Sequence, residues 1–330
     1  NISKAAKEEY SRGDVDKALL DAETTHEAIY QQGHLSHAPM EPNASLVSVT
    51  DDACEIWAST QSPASIQRVV GAYLGRDPED ITVHVAMSGG AFGRKFKCHY
   101  VYEAAVLSNT VKAPVELIWS REEDLRTGFF HSCSAQYIKA GVDKDGNLTG
   151  WIQRAAFPTI GSTFNPSIEQ PTKDDLNQVF DHPHNIVNLR AESGHAPGHT
   201  RIGWYRAVYA IFYGFSVNSF MDEMARKLGE DPYQFMRKTL MNNKDPAQSE
   251  KVNRSIGVLD LAAQKANWNK KRTKNRGVGI AVYHSFRSYL AMAVEVEING
   301  DDVKVVKVDC AVDCGQVLNK DIATAQMEGA

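Results

Sequence analysis

Residues 88–96 read Ser-Gly-Gly-Ala-Phe-Gly-Arg-Lys-Phe, and no other stretch limits the fold as much. Before it runs an alternating apolar segment (Ile81, Val83, Val85, Met87), and residues 97–110 after it read as a helix. Val115, Leu117 and Trp119 then form another strand, so the unit is strand, loop, helix, strand. Glycine is used where backbone must approach another body closely or take φ > 0, so this loop is expected to sit against something. At a helix start, free N–H groups and the positive dipole end can hold an anion or the polar edge of a cofactor. The stretch matches neither GxxxxGK[ST] nor GxGxxG, which removes the phosphate-cradling and dinucleotide fingerprints. Spacing alone supports only a tight strand-to-helix turn.

The rest of the chain sets bounds on its partners. At 330 residues it exceeds the usual single domain, which points to two or three lobes. A net charge of −5, with lysine and arginine dispersed, leaves no electrostatic footprint for DNA, RNA or an anionic membrane. No apolar run approaches the roughly 20 residues that a membrane-crossing helix needs, so no direct membrane insertion is expected. The five cysteines are an odd number without CxxC spacing, and Cys310 and Cys314 are expected to be buried thiols in a strand. Asn1 opens the chain without an initiator methionine or signal peptide, and Met-Glu-Gly-Ala closes it inside a helical run. The expectation is a piece of a longer protein.

Periodicity supplies a coarse order of elements. Residues 11–32 read as a short helix and a strand, and prolines 39 and 42 keep 34–43 irregular. Residues 45–60 suit a hairpin turning at Asp51-Asp52. Ser62, Pro63 and Gly75 bound a helix whose Ile66, Val69, Val70, Tyr73 and Leu74 share one face. A second hairpin spans 136–151 with its turn at Asp145-Gly146. Residues 157–200 hold five prolines and four histidines, which fits a long functional loop or an excursion packed on another domain. A helix over 217–228 ends near Gly229, Asp231-Pro232 opens the next through Leu240, and 277–314 returns to strand. The expected class is α+β, mixed sheets with packed helices in two lobes: 1–155 with the glycine loop, an irregular segment 156–200, and 201–330.

Several side chains invite a chemical role and are given bland ones. His34/His37, His182/His184 and His195/His199 lie beside glycine or proline and lack an HExxH helix, so they read as surface or loop histidines. Glu122-Glu123-Asp124 and Asp222-Glu223 read as solvated or capping carboxylates, and no GxSxG elbow is present. Arg206, inside Gly203-Trp-Tyr-Arg-Ala207, either pairs with a buried acid or offers its fork to a ligand oxygen.

Certain segments occur in a telling order: HAPMEPN at 37–43, STQSP at 59–63, SGGAFGRKF at 88–96, WSREED at 119–124 and WYRAV at 204–208. SFMDEMARKLGEDPYQFMR at 219–237, RGVGIAVYHSF at 276–286 and CAVDCGQVLNKD with AQMEGA at 310–330 complete the series. Together they resemble the molybdopterin-binding subunit of the xanthine oxidase superfamily of molybdenum hydroxylases, in its isoquinoline 1-oxidoreductase beta-subunit and bacterial aldehyde oxidoreductase branch.

The resemblance implies a molybdopterin-binding α+β fold and the following roles. Gln61 lies close to the molybdenum. Gly89, Gly90, Ala91, Phe92 and Gly93 run against metal and pterin with Phe92 near the substrate, Arg206 stands at the substrate end, and Gln326, Glu328 and Gly329 approach the pterin. Gln61, Phe92 and Arg206 are thus the implied catalytic set. It also implies a molybdenum–molybdopterin cofactor in its cytosine dinucleotide form, a small [2Fe-2S] subunit that takes the electrons, and an aldehyde or N-heterocycle oxidised with water as oxygen donor. Relatives of this branch are often exported to the periplasm, with the cytoplasm as the alternative.

Departures from the family pattern carry their own expectations. Phe96 stands where purine-oxidising members have a glutamate, which argues against purines. Ala91 replaces a third glycine, and Arg287 follows Phe286 where small residues are common, which narrows the pocket. The GxGE glutamate and MGQG motifs of the family are not in these 330 residues, so the isolated chain is expected to lack cofactor and turnover. The alternative is a non-catalytic scaffold that keeps the fold.

Overall fold

The computed structural model describes residue 2 and residues 6–330. Along the chain run β1 (Lys7–Arg12), α1 (Val15–Leu20), β2 (Thr24–Gln32), β3 (Ala44–Val49), β4 (Cys54–Ala58), α2 (Pro63–Leu74) and β5 (Ile81–Val85). After the glycine loop come α3 (His99–Val111), β6 (Val115–Ile118), α4 (Arg121–Thr127), β7 (Ser134–Val142), β8 (Leu148–Ala156), α5 (Asn177–Phe180) and β9 (Asn188–Ser193). The last third holds α6 (Ala210–Leu228), α7 (Pro232–Met241), α8 (Ser249–Lys265), β10 (Arg276–Ser285), β11 (Ser288–Asn299), β12 (Asp302–Asp313) and α9 (Lys320–Glu328).

Local chemistry explains most of these bounds. Pro63 starts α2 and Gly75, at φ 67°, closes it in the left-handed conformation that costs a side chain most. The Ser62 hydroxyl makes no capping bond; it donates to Ser65 Oγ at 2.7 Å instead. Asp231 caps α7 by accepting the Gln234 N–H at 3.0 Å, and Gly229 ends α6. The structure adds α8, whose Val252, Ser255, Leu259 and Ala262 are buried at helical spacing.

The strands form three sheets that position the loop. One has the order β1-β9-β8-β7-β2, with β8 and β9 parallel and its other neighbours antiparallel. Inserted between β2 and β7 in the chain is a second sheet, β5-β4-β3-β6, in which β4 and β5 run parallel. Its inner face packs on α2 and α3 and makes a separate core of Val47, Ile56, Ile66, Ile81, Tyr100 and Val101. The third sheet, β10-β11-β12, is antiparallel and packs on α6 and α8.

A larger core joins the five-stranded sheet, α6, α7, α8 and the third sheet around Trp151, Phe212, Phe220, Phe235 and Leu259. It runs from Tyr30 to Ala311, so it crosses the boundaries drawn at 155/156 and 200/201. Residues 157–200 are part of that core, contributing Phe157, Leu176, Val179 and strand β9. The mixed α+β class stands.

Two expectations fail here for stated reasons. Cys310 and Cys314 are exposed. On β12 the side chains alternate, so the core-facing position goes to Ala311 and Cys310 falls on the other face. His37, His182 and His184 lie in irregular segments as expected but are buried there, not on the surface, His37 being covered by the Trp204–Tyr205 segment. His184 Nδ1 lies 2.7 Å from Thr239 Oγ1, and His182 stacks edge-on to Trp151 at 5.7 Å.

Burial holds His37, His184 and His284 neutral, with pKa values pulled from 6.5 to about 4, and His99 to about 3. The unfolded chain takes up protons on these rings below about 6.5 while the folded one does not, so stability drains as pH falls through that window. Urea midpoints measured by circular dichroism at pH 7.5 and pH 5 should therefore differ, the lower pH giving the lower midpoint. A midpoint unchanged between the two would contradict the burial of these imidazoles.

Candidate functional site

Strand β5 delivers the chain to Ser88, and residues 88–93 form an irregular loop ahead of a single 3₁₀ turn at Arg94–Phe96. α3 begins only at His99, so the glycines do not lie at a helix start as the spacing suggested. Close approach is what they serve. A Cβ on Gly93, at φ 98°, would lie 2.2 Å from the Trp204 carbonyl oxygen, and one on Gly89 would lie 2.6 Å from Glu41 Cβ.

Charged side chains, not glycines, fasten the loop. Lys95 is fully buried, and its ammonium pairs with Glu41 and donates to Ser59 Oγ at 2.8 Å. The same Glu41 carboxylate accepts the Gly89 N–H at 2.9 Å and the Ser59 hydroxyl at 3.0 Å. Burial pushes the Glu41 carboxyl up, and the bonds from Lys95, Gly89 and Ser59 outweigh it and hold the group below its ordinary value. Beside it, buried Arg94 donates to Asp124 Oδ1 at 2.9 Å, and Arg121 reaches Asp124 Oδ2 at 3.1 Å. Burial lowers the Arg94 guanidinium pKa, and Asp124 works against that.

Asp124 is thus a buried partner of Arg94 and not the solvated or capping carboxylate expected of 122–124. α4 turns it inward while Glu122 and Glu123 stay exposed. Sequence reasoning missed Glu41, Lys95, Arg94 and His37, whose Nε2–H donates to the Trp204 carbonyl at 2.6 Å. The available signal was a charge in each motif flanked by residues that favour burial or irregular backbone.

Most of the residues singled out earlier come together. Gln61 Oε1 accepts the Gly93 N–H at 3.0 Å, and the Gln61 N–H donates to the Lys95 carbonyl at 3.1 Å. The Arg206 N–H donates to the Phe92 carbonyl at 2.9 Å, which ties the WYRAV segment at 204–208 onto the loop. Among the described residues the Gln61 NH₂, the N–H groups of Gly90, Ala91 and Phe92, and the Arg206 guanidinium have no protein partner. Arg206 therefore pairs with no buried acid. It borders a cleft of about 560 Å³ together with Ala207, Phe286, Gln326 and Met327. Glu328 and Gly329 do not join this cleft; they lie exposed at the end of α9. Phe96 is part exposed, its ring 4.6 Å from Trp204.

The backbone here is held in costly conformations. Phe92, Ala207, Val208, Phe286 and Arg287 all have positive φ, between 47° and 67°. Such outliers persist only where surrounding structure over-determines them, and they cluster at functional sites.

A family described as molybdopterin cofactor-binding domain matches residues 1–240, and a second family of the same description matches residues 283–330. The chain belongs to the molybdopterin cofactor-binding domain family. Among its relatives, the isoquinoline 1-oxidoreductase subunit beta of Brevundimonas diminuta is 28% identical over 334 residues, covering 96% of this chain and 41% of the relative. An aldehyde oxidoreductase molybdenum-binding subunit of Escherichia coli is 25% identical over 310 residues, covering 87% of this chain and 40% of the relative. The aldehyde oxidoreductase structure of Desulfovibrio gigas superposes with a TM-score of 0.67 at 22% identity, over 91% of this chain and 35% of that one. The chain thus spans about two fifths of the length of these two curated relatives. As a molybdopterin cofactor-binding chain of xanthine oxidase type, it shares its kind with oxidoreductases, and the resemblance seen in the ordered motifs holds.

Breaking a fully buried ion pair costs about 3–5 kcal/mol; here Lys95 is buried while the Glu41 side chain is 35% exposed, so removing the carboxylate should cost less, about 2 kcal/mol. Glu41→Gln should lower unfolding free energy by that order in urea titrations, while Glu41→Gln with Lys95→Met recovers much of it. Additive losses in the double variant would show that the two side chains are not coupled. Gly93→Ala, which drives a methyl into the Trp204 carbonyl, should cost at least about 2 kcal/mol, read from the same titrations.

Proposed function

We propose that this chain is the middle of a molybdenum hydroxylase catalytic subunit that oxidises an aldehyde or an N-heterocycle with water as oxygen donor. Molybdopterin, in its cytosine dinucleotide form, would be held along the glycine loop and the Arg206 cleft, and a small [2Fe-2S] subunit would take the electrons. The observation that carries the reading is the set of unspent donors. The Gln61 NH₂, the Gly90, Ala91 and Phe92 N–H groups and the Arg206 fork stand on segments that hydrogen-bond to one another. A pterin with its amide-like edges and phosphates is rich in acceptors, so this donor set fits it.

When bound, the molybdenum centre supplies the two-electron acceptor and activates water. The chain's own residues bind and orient. Gln61 spends its oxygen on Gly93 and so keeps its NH₂ aimed by a fixed loop. Gly89 and Gly93 let that loop lie against Glu41 and Trp204 without side chains in the way. Ala210, Ile211, Leu290 and Met327 give the cleft an apolar lining that excludes water and strengthens each polar contact within it. Phe92, part exposed at φ 54°, keeps the loop in a fixed conformation, and Gln326 and Arg206 both line the cleft. Phe96 provides no carboxylate for a purine, so purines fall outside the reading.

Full-length protein purified from its native host should contain about one molybdenum per chain by metal analysis, and protein free of molybdenum would defeat the proposal. In that protein Gln61→Ala and Arg206→Ala should lower turnover on the order of a hundredfold, the scale for a lost positioned donor, with the fold retained in thermal melts. Loss of the fold in either variant would make its role structural.

A further inference from the structure

A second cleft, of about 430 Å³, adjoins the first, and the two share Ala207, His284, Ser285 and Phe286. Their linings differ in character. The first is largely apolar, while the second carries Asp174, Asp181, Lys251 and Arg287 beside the rings of Tyr209 and Tyr289. Phe286 and Arg287 form the two-residue connection between β10 and β11, with φ of 47° and 65°. A hairpin turn of that hand normally takes asparagine and glycine, so two bulky side chains here oppose local preference. Across from them Ala207 and Val208 repeat the same left-handed backbone.

The free groups at this junction describe what would enter. Lys251 is already paired with Asp181 at 2.7 Å. Arg287 is exposed in the cleft and has no acidic partner among the described residues. His284 Nδ1 and Ser285 Oγ are buried atoms without a hydrogen bond, at the wall that both clefts share. Asp174, exposed and without an ion pair among the described residues, opposes any negative charge on an occupant beyond the one that Arg287 can pair. Flat apolar rings with one planar cationic fork match an aromatic ring bearing a single carboxylate.

We propose that the second cleft receives the substrate, that Phe286 partitions it from the first, and that Arg287 selects aromatic or heteroaromatic compounds carrying one carboxylate. This rests on the first cleft being the cofactor side, as proposed above. The selection itself belongs to residues of this chain and needs no bound cofactor.

The test is isothermal titration of the 330-residue chain with 2-naphthoate and its neutral counterpart 2-naphthamide. Naphthoate should bind about tenfold more tightly, the scale of one charge-assisted hydrogen bond. Arg287→Gln should abolish the difference, Arg287→Lys should keep part of it, and Phe286→Ala should weaken both probes alike. Equal affinities for the two probes in the unaltered chain overturn the proposal, as does a naphthoate preference that survives Arg287→Gln. Molybdenum missing from the full-length protein would instead remove the function proposed above, and the naphthoate preference of this cleft would still be read directly.

Discussion

The buried ammonium of Lys95 is the constraint around which the site is arranged. A cation removed from water this completely is tolerated only with a carboxylate and further acceptors at hand. Glu41 and Ser59 supply them, from two segments far from the loop in sequence. Because the same Glu41 oxygen also accepts the Gly89 N–H, one carboxylate holds both ends of the glycine loop. The charged side chains of the loop are consequently turned inward, Gly89 and Gly93 lie against Glu41 and Trp204, and the N–H groups of Gly90, Ala91 and Phe92 keep no protein partner. Arg94, anchored on Asp124 beside Trp119 and Phe129, repeats the device one residue earlier.

That fastening explains where backbone strain can be stored. Of the non-glycine residues with positive φ, Lys112 and Asn267 follow helices, where a left-handed residue closes the last turn. The others, including Ala38, lie on the HAPMEPN segment, the loop, the Arg206 segment and the β10–β11 turn. The first three of these segments are bonded together, His37 to Trp204 and Arg206 to Phe92, and Gln61 adds a further bond to Gly93 of the loop. A strained turn tied on several sides cannot relax, so donors on it keep their aim before any ligand arrives. Preorganisation of this sort is what positions a cofactor edge without further reorganisation.

The nesting of the sheets serves the same end. The four-stranded sheet with α2 and α3 has its own core, and the loop that follows its strand β5 lies against Trp204 and Arg206. Arg206 comes from the turn leading into α6, whose other face packs on the five-stranded sheet. The cleft therefore sits between elements that each have a reason to be rigid, with α9 and the third sheet as its far wall.

By itself the sequence determined the elements whose signals are local. Pro63 and Gly75 bounded α2, Asp231-Pro232 opened α7, Asp145-Gly146 turned a hairpin, and the ordered motifs marked the family. It also marked Gln61, the loop and Arg206 as belonging to one site, though only through resemblance. Tertiary structure decided the rest, because burial and pairing depend on residues distant in the chain. Asp124 could not be told from Glu122 and Glu123 until α4 turned one of three adjacent acids toward Arg94. His37, His182 and His184 are loop histidines as read, but their burial was not visible because proline-rich segments carry no burial signal of their own. Cys310 read as core from its apolar neighbours, yet strand alternation gave the inward position to Ala311. Which charges lie inside, and which donors remain free for a ligand, followed only from the packing of segments that the chain itself keeps far apart.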